Sequence, residues 1–166
     1  MCKINNINIR LAIPQDYEKI WDIFHSVIKT GDTYVFDPET PKQHLNKYWV
    51  ADYIHTYVAE INGNILGTYI LKPNQVDLGS HIANGSYMVH PEAHGKAIGK
   101  TMCEHSLKEA QILGFNAIQF NSVVSTNMPA IHLWKKYGFS VIGTIPDGFN
   151  HSKLGYVDTL IMYKKL

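Results

Sequence analysis

The apolar run Gly85-Ser-Tyr-Met-Val89 breaks off at His90-Pro-Glu-Ala-His-Gly-Lys-Ala-Ile-Gly-Lys-Thr101, within which the amphipathic pattern of Ile98–Leu113 begins. A strand, a small-residue turn carrying two lysines and a helix N-terminus, in that order, form a place to hold phosphate oxygens. The first turn of a helix has backbone N–H groups without intrahelical partners, and the helix dipole favours negative charge there. A nucleoside triphosphate is the first ligand to consider, because Gly99-Lys100-Thr101 matches the tail of a P-loop. The spacing excludes it. A P-loop needs a glycine five positions before that tripeptide, where this chain has His94, and Gly95 comes one residue too late to wrap a β-phosphate.

The other phosphate ligand to consider is a pyrophosphate within coenzyme A. Here the segment His94-x-x-Ala97-x-Gly99 resembles the Arg/Gln-x-x-Gly-x-Gly/Ala loop of the GCN5-related N-acetyltransferase (GNAT) family. His94 stands where the family has Arg or Gln, and Ala97 stands where it has the first glycine. Downstream, Asn127-x-x-Ala130-x-x-Leu133-Trp134-x-x-x-Gly138-Phe139 is similar to the family's second block, with Trp134 in place of a tyrosine. Asn127 suits a helix N-cap, and Gly138 suits its end. The runs Gly143–Phe149 and Gly155-Tyr-Val-Asp158, with Asp32-Thr33-x-x-Phe36 upstream, resemble the branch acting on amino-acid analogues of the phosphinothricin type.

Periodicity and turn residues place the elements. Asn8–Ala12 reads as a strand, and Pro14 to Lys29 as a helix with Tyr17, Ile20, Trp21, Phe24, Val27 and Ile28 on one face. A turn-rich loop, Gly31–Pro41, precedes a second helix to about Val50. Asn62-Gly63-Asn64 joins Tyr53–Ile61 and Ile65–Leu71 as a hairpin. Strands follow at Ile82–Val89, Ala117–Phe120, Val141–Ile145 and Tyr156–Tyr163, with helices over Ile98–Leu113 and after Asn127. There is no repeat, linker or low-complexity segment, so one α/β domain over 1–166 is expected. The resemblance implies the GNAT fold: a mixed, mostly antiparallel central sheet flanked by helices. The strands beginning at Ile82 and Ala117 would be parallel and splayed, forming the acetyl-CoA cleft.

Composition narrows the partners. A chain of 166 residues can bury about 70% of its unfolded surface. Fifteen basic residues against fourteen acidic leave no electrostatic footprint for nucleic acid or an anionic membrane. No apolar stretch approaches the ~20 residues that span a bilayer, and the first residues lack a signal peptide's apolar core. A cytoplasmic enzyme with a small-molecule amine as partner is the expectation, and a homodimer is compatible with it. Cys2 and Cys103 suggest no disulfide framework. Their expected positions, a frayed terminus and a helix interior, disfavour a covalent acetyl-cysteine route.

The resemblance also implies roles. The co-substrate acetyl-CoA would be held by Met88, Val89, His94, Gly95, Lys96, Ala97, Ile98, Gly99, Lys100, Asn127 and Trp134. The backbone N–H of Val89 or its neighbour, freed by a strand bulge, would stabilise the oxyanion. An indole cannot protonate the leaving sulfur, so Tyr137, one turn beyond Trp134, is the candidate acid; core packing beside Phe139 is the alternative. Tyr34, Phe36, Tyr87 and Asn121 are candidates for the acceptor pocket, although Tyr34 and Phe36 could equally staple their loop to the core. Asp158 either orients the amine or supports the neighbouring loop. His90, Glu92 and His94 do not form a metalloprotease motif, and no metal is expected. Two other readings stay open: acetylation of a protein or peptide N-terminus, which needs an open groove between the Gly31–Pro41 loop and the last hairpin, and a degenerate module that binds acyl-CoA without turnover.

The loop assignment predicts that Gly99→Val abolishes CoA binding and leaves the fold intact. Titration of the variant with CoA, beside its circular dichroism spectrum, checks this; wild-type affinity would refute the assignment.

Overall fold

The computed structural model describes residues 6–166; Cys2 lies outside them. Seven strands form one sheet in the order β1-β2-β3-β4-β5-β7-β6. They are β1 (Ile7–Leu11), β2 (His55–Ile61), β3 (Asn64–Pro73), β4 (Ile82–Val89), β5 (Ala117–Val124), β6 (Ser140–His151) and β7 (Gly155–Lys165). The helices are α1 (Tyr17–Ile28), α2 (Leu45–Tyr48), α3 (Ile98–Ile112) and α4 (Met128–Lys136). All pairings are antiparallel except β4 with β5, as the mixed sheet with one parallel pair requires. No helix of the described residues is long and apolar enough to cross a membrane.

Strand alternation gives the sheet two cores. On one face Val58, Ile70 and Met88 pack against Ile20, Ile23, Phe24 and Ile28 of α1 and against Leu45 and Trp49. On the other, Tyr57, Tyr69, Leu71 and Phe120 pack against Ile98, Met102, Cys103 and Ala110 of α3 and Ile131 and Trp134 of α4. Gly67 of β3 allows α3 to come close: a Cβ there would lie 2.6 Å from Ile98 Cγ2. Beneath α3 three tyrosines stand side by side on successive strands. Tyr57 and Tyr69 have ring centroids 4.7 Å apart, and Tyr69 and Tyr87 5.4 Å. Each hydroxyl meets α3: Tyr57 donates to Glu109, Tyr69 bonds His105 Nδ1, and Tyr87 donates to Ser106. On the opposite face Trp49 is fully buried, and its indole N–H donates to Thr68 Oγ1, which donates in turn to the Tyr57 carbonyl.

Three expected elements differ from those found. The second helix shrinks to a 3₁₀ turn at Lys42–His44 and the single turn of α2. β5 runs on to Val124 through a register shift between Phe120 and Val123. Pro146-Asp147-Gly148, which lies beyond the expected end of the strand at Ile145, is a bulge within a continuous β6, between the pairs Ile145–Thr159 and Phe149–Val157. Asp147 adopts φ +51° there, and its N–H donates to Asp158 Oδ1 at 3.0 Å. Turn-forming residues and a bulge share the same left-handed conformation, so local sequence does not separate them.

An ion pair joins β1 to the start of α1. Both terminal nitrogens of Arg10 bond the Asp16 carboxylate, at 2.7 and 3.0 Å, and Asp16 Oδ2 also accepts the Ile13 N–H. Glu60 of β2 completes the group at 3.3 Å. The Arg10 guanidinium, opposed by burial and helped by the Ile13 N–H, holds the Asp16 carboxyl below the usual carboxylate range. A lowered folded-state pKa adds stability that is present above the ordinary carboxylate pKa of about 4 and lost as pH falls through the lowered one. Asp16→Asn should therefore cost about 1–2 kcal/mol at pH 7, discounted because Arg10 is about a third exposed. Thermal melts should show that difference shrinking as pH is taken below the carboxylate range.

Candidate active site

The parallel pair is short. β4 and β5 are in register only at Ile82–Ala117, Ala83–Ile118 and Asn84–Gln119. Asn84 closes the paired region with its side chain, whose Nδ2 donates to the Gln119 carbonyl at 3.0 Å. Beyond that point β4 continues to Val89 while still pairing with β3 without a register break. The expected bulge in β4 is therefore absent. The separation from β5 itself bares one edge of β4 from Gly85 to Val89.

Alternation assigns the groups on that edge. The His90 N–H donates to Leu66 on β3, so Tyr87 and Val89 turn their N–H groups the other way, into the gap. At Tyr87 the gap is already occupied. The Tyr34 hydroxyl accepts the Tyr87 N–H at 2.9 Å and donates to the Tyr87 carbonyl at 2.6 Å. Burial pushes the Tyr34 hydroxyl pKa up, so it stays protonated and cannot serve as a base. The Val89 N–H is thus the backbone donor that this edge turns into the gap beyond Tyr87. Met88, by the same alternation, sends its side chain into the core under α1 and cannot line the cleft.

Past Val89 the chain makes the anticipated turn. His90 Nδ1 accepts the Glu92 N–H over the 3₁₀ turn Pro91–Ala93, and α3 starts at Ile98. Gly95 and Ala97 both have positive φ, +82° and +62°. Ala97, where the resemblance has glycine, therefore adopts the glycine conformation. The first intrahelical bond is Thr101 N–H to the Ala97 carbonyl, leaving the N–H groups of Ile98, Gly99 and Lys100 without intrahelical acceptors. His94, Lys96 and Lys100 are exposed around them, and Lys100 also lies 3.9 Å from Glu104. These donors and cations suit a pyrophosphate. Gly99 faces the gap: a Cβ there would be 3.9 Å from both Val89 Cγ2 and Leu133 Cδ2. The fold thus has room for a side chain that would intrude on a ligand.

α4 forms the other wall. Asn127 Oδ1 accepts the Ala130 N–H and caps it, as the sequence implied. Trp134 fills the space between the separated strands, with centroids 4.7 Å from Tyr87 and 4.6 Å from Phe120. Tyr87 is committed to this core through Ser106. Tyr137 points elsewhere: its hydroxyl donates to Glu104 on α3 at 2.5 Å, an interaction that raises its pKa to about 12. Phe36 is packed against Phe24 and Tyr48. Asn121 is exposed and bridges Gln119 and Asn74. Cys103 is buried, which pushes its thiol up to about 12 and leaves it no nucleophile at neutral pH. Among the described residues no group of His, Cys, Asp and Glu is placed to hold a metal ion.

Two contacts went unread in the sequence. Ser152, in the turn between β6 and β7, donates its N–H to the Gly31 carbonyl and its hydroxyl to the Thr30 carbonyl, each at 2.9 Å. They fasten the start of the α1–α2 loop to the last hairpin, across the opening that a peptide groove would need. Asn84 was the other omission. Neither residue carries a local signal, because each acts on a partner distant in sequence.

Known proteins share this fold. The model of the acetyltransferase (GNAT) family matches residues 17–139. The structure is similar to that of a GCN5-related N-acetyltransferase from Kribbella flavida, with 36% identity, a TM-score of 0.92 and coverage of 96% of this chain and 98% of the other. The fold is also shared with a phosphinothricin acetyltransferase from Sinorhizobium meliloti in complex with AcCoA, at 20% identity, a TM-score of 0.85 and coverage of 96% and 88%. In sequence the chain is 37% identical over 99 residues to the N-acetyltransferase aca1 of Schizosaccharomyces pombe, a match covering 59% of this chain and 47% of that protein. The chain thus spans about half the length of that relative.

The conformation of Ala97 yields a prediction. A left-handed residue with a Cβ is strained by about 1–2 kcal/mol, part of which glycine's larger unfolded-state entropy offsets. Ala97→Gly should stabilise the protein by about 0.5–1 kcal/mol and raise Tm by about 2 °C, which differential scanning calorimetry would register.

Proposed function

The chain belongs to the acetyltransferase (GNAT) family, and from that premise we propose that it transfers the acetyl group of acetyl-CoA to the primary amine of a small molecule, an amino acid or analogue, by direct attack in a ternary complex. The observation that carries this reading is the bared edge of β4, ending at Val89 beside the N-terminus of α3. The turn at 94–100 holds the pyrophosphate, and the strand edge takes the amide-bearing arm. Bound there, acetyl-CoA supplies an activated thioester carbonyl.

The residues of the chain do the rest. The Val89 N–H donates to the carbonyl oxygen as negative charge builds on it, which is worth about 2.7–4 kcal/mol in comparable sites. An alkyl amine with a pKa near 10.4 is less than about 0.1% neutral at pH 7, so the site must desolvate it or pass its proton to water. The amine nitrogen bonds to the carbonyl carbon, the carbon–sulfur bond breaks, and the proton leaves to solvent. A thiol of pKa about 8.5 departs as thiolate without an acid, which accords with an indole at position 134 and with Tyr137 bonded to Glu104.

The acceptor is small because Ser152 ties the last hairpin to Thr30 and Gly31. A peptide lying between them would have to break both bonds. A homodimer is part of the same proposal: β6 is an edge strand exposing Val141, Ile142 and Ile145, the kind of edge that a second copy covers.

Thermal shift with acetyl-CoA, CoA and Mg-ATP in parallel tests the cofactor. A ligand at a hundredfold its Kd adds about 2.7 kcal/mol, several degrees for a chain of this size. Stabilisation by both CoA species and not by ATP is expected, followed by thiol release with small amines and none with peptides. No response to either CoA species sinks the proposal.

A further inference from the structure

We propose that in the free protein the Tyr34 hydroxyl occupies the place on β4 that the amide-bearing arm of coenzyme A takes on binding. The assignment rests on the acetyl-CoA reading above. The phosphate-binding turn stands directly beside Val89, since a Cβ on Gly99 would lie 3.9 Å from Val89 Cγ2. An arm leaving that turn has its whole length still to place. The bared edge of β4, running back from Val89 toward Gly85, is about 13 Å long and lies open to it. Tyr87 is at the middle of that stretch. There the Tyr34 hydroxyl already accepts the N–H at 2.9 Å and donates to the C=O at 2.6 Å.

Those two bonds are the ones an amide lying against a strand edge makes, one as acceptor and one as donor. The Tyr87 N–H has a single hydrogen to give, so the phenol and the arm compete for it. The phenol is there because β5 is not. The strands pair only as far as Asn84 and Gln119, and an unpartnered N–H and C=O in the middle of a sheet would each cost about 1–3 kcal/mol. Tyr34 thus caps the edge with a side chain while no ligand is present.

The cap is built to leave. Its hydroxyl bonds only the two groups of Tyr87 among the described residues. The next residue, Val35, is 63% exposed, so the chain beside the phenol lies at the surface. The anchors of the loop are separate from it: Ser152 holds Thr30 and Gly31, and Phe36 packs on Phe24 and Tyr48. The phenol can therefore give way without unseating the loop. None of its bonds reaches the turn at 94–100, so a ligand that fills only that turn does not meet it.

Calorimetric titration of the wild type and Tyr34→Phe with CoA, and with its nucleotide half 3′-phospho-ADP, which lacks the arm, tests this without knowledge of the amine. The variant leaves the Tyr87 groups unpaired until a ligand arrives, so it should bind CoA about tenfold more tightly than the wild type. Its affinity for the nucleotide half should be unchanged. A folded Tyr34→Phe that binds CoA no more tightly overturns the proposal, and so does equal tightening toward both ligands. A crystal structure of the wild type with CoA should show the hydroxyl out of hydrogen-bond distance of both Tyr87 groups. Finding it still on both with the arm bound overturns the proposal whether or not the variant folds. A wild type that binds neither CoA nor acetyl-CoA refutes the acetyl-CoA reading itself, a result distinct from these.

Discussion

Two parallel strands that part after three paired residues leave peptide groups facing neither a neighbouring strand nor bulk water. A buried N–H or C=O without a partner costs about 1–3 kcal/mol, so a sheet does not open in its middle unless something else meets those groups. Here two devices do so. Asn84 satisfies the Gln119 carbonyl where pairing stops. Tyr34 satisfies both groups of Tyr87. Val89 is left over, with its N–H turned into the gap. The site is the part of the opening that the fold does not fill for itself.

The rest of the architecture holds that opening steady. One face rests on α1 and the fully buried Trp49, the other on α3 and α4, so the strands beside the gap are gripped from both sides. Gly67 allows α3 to approach closely enough that its first turn stands beside the end of β4. The Arg10–Asp16 pair fixes where α1 begins, and α1 carries the loop that brings Tyr34 to the gap. A single hydroxyl at the centre thus depends on an ion pair at the edge strand, through one helix and one loop.

What the sequence made legible was whatever lies within one element or one turn. The strand, turn and helix from Gly85 to Leu113, the hairpin at Asn62–Asn64 and the cap at Asn127 all rest on neighbours a few residues apart. Whatever depended on a distant partner stayed hidden. Tyr34 and Tyr87 are 53 positions apart, and nothing near Tyr34 indicates that its hydroxyl will replace a strand. Pro146-Asp147-Gly148 misled for a different reason, since its residues suit a turn and a bulge equally. Tyr137 sat at the correct helical spacing from Trp134, yet Glu104 on another helix determines where its hydroxyl goes. Met88 shows that a residue adjacent in a motif faces the opposite way in a strand.

The row of tyrosines under α3 has a consequence for how the molecule opens. Glu109, His105 and Ser106 each bond one tyrosine hydroxyl, from three successive strands. Sliding α3 by a turn, or rotating it by one residue, would strand all three at once in an otherwise apolar layer. The helix consequently has one seating on the sheet, and it leaves that seating only together with β2, β3 and β4. These elements form one cooperative folding unit. The N-terminal turn of α3 belongs to that unit, so it is held in place beside Val89 by the same contacts that hold the core beneath it.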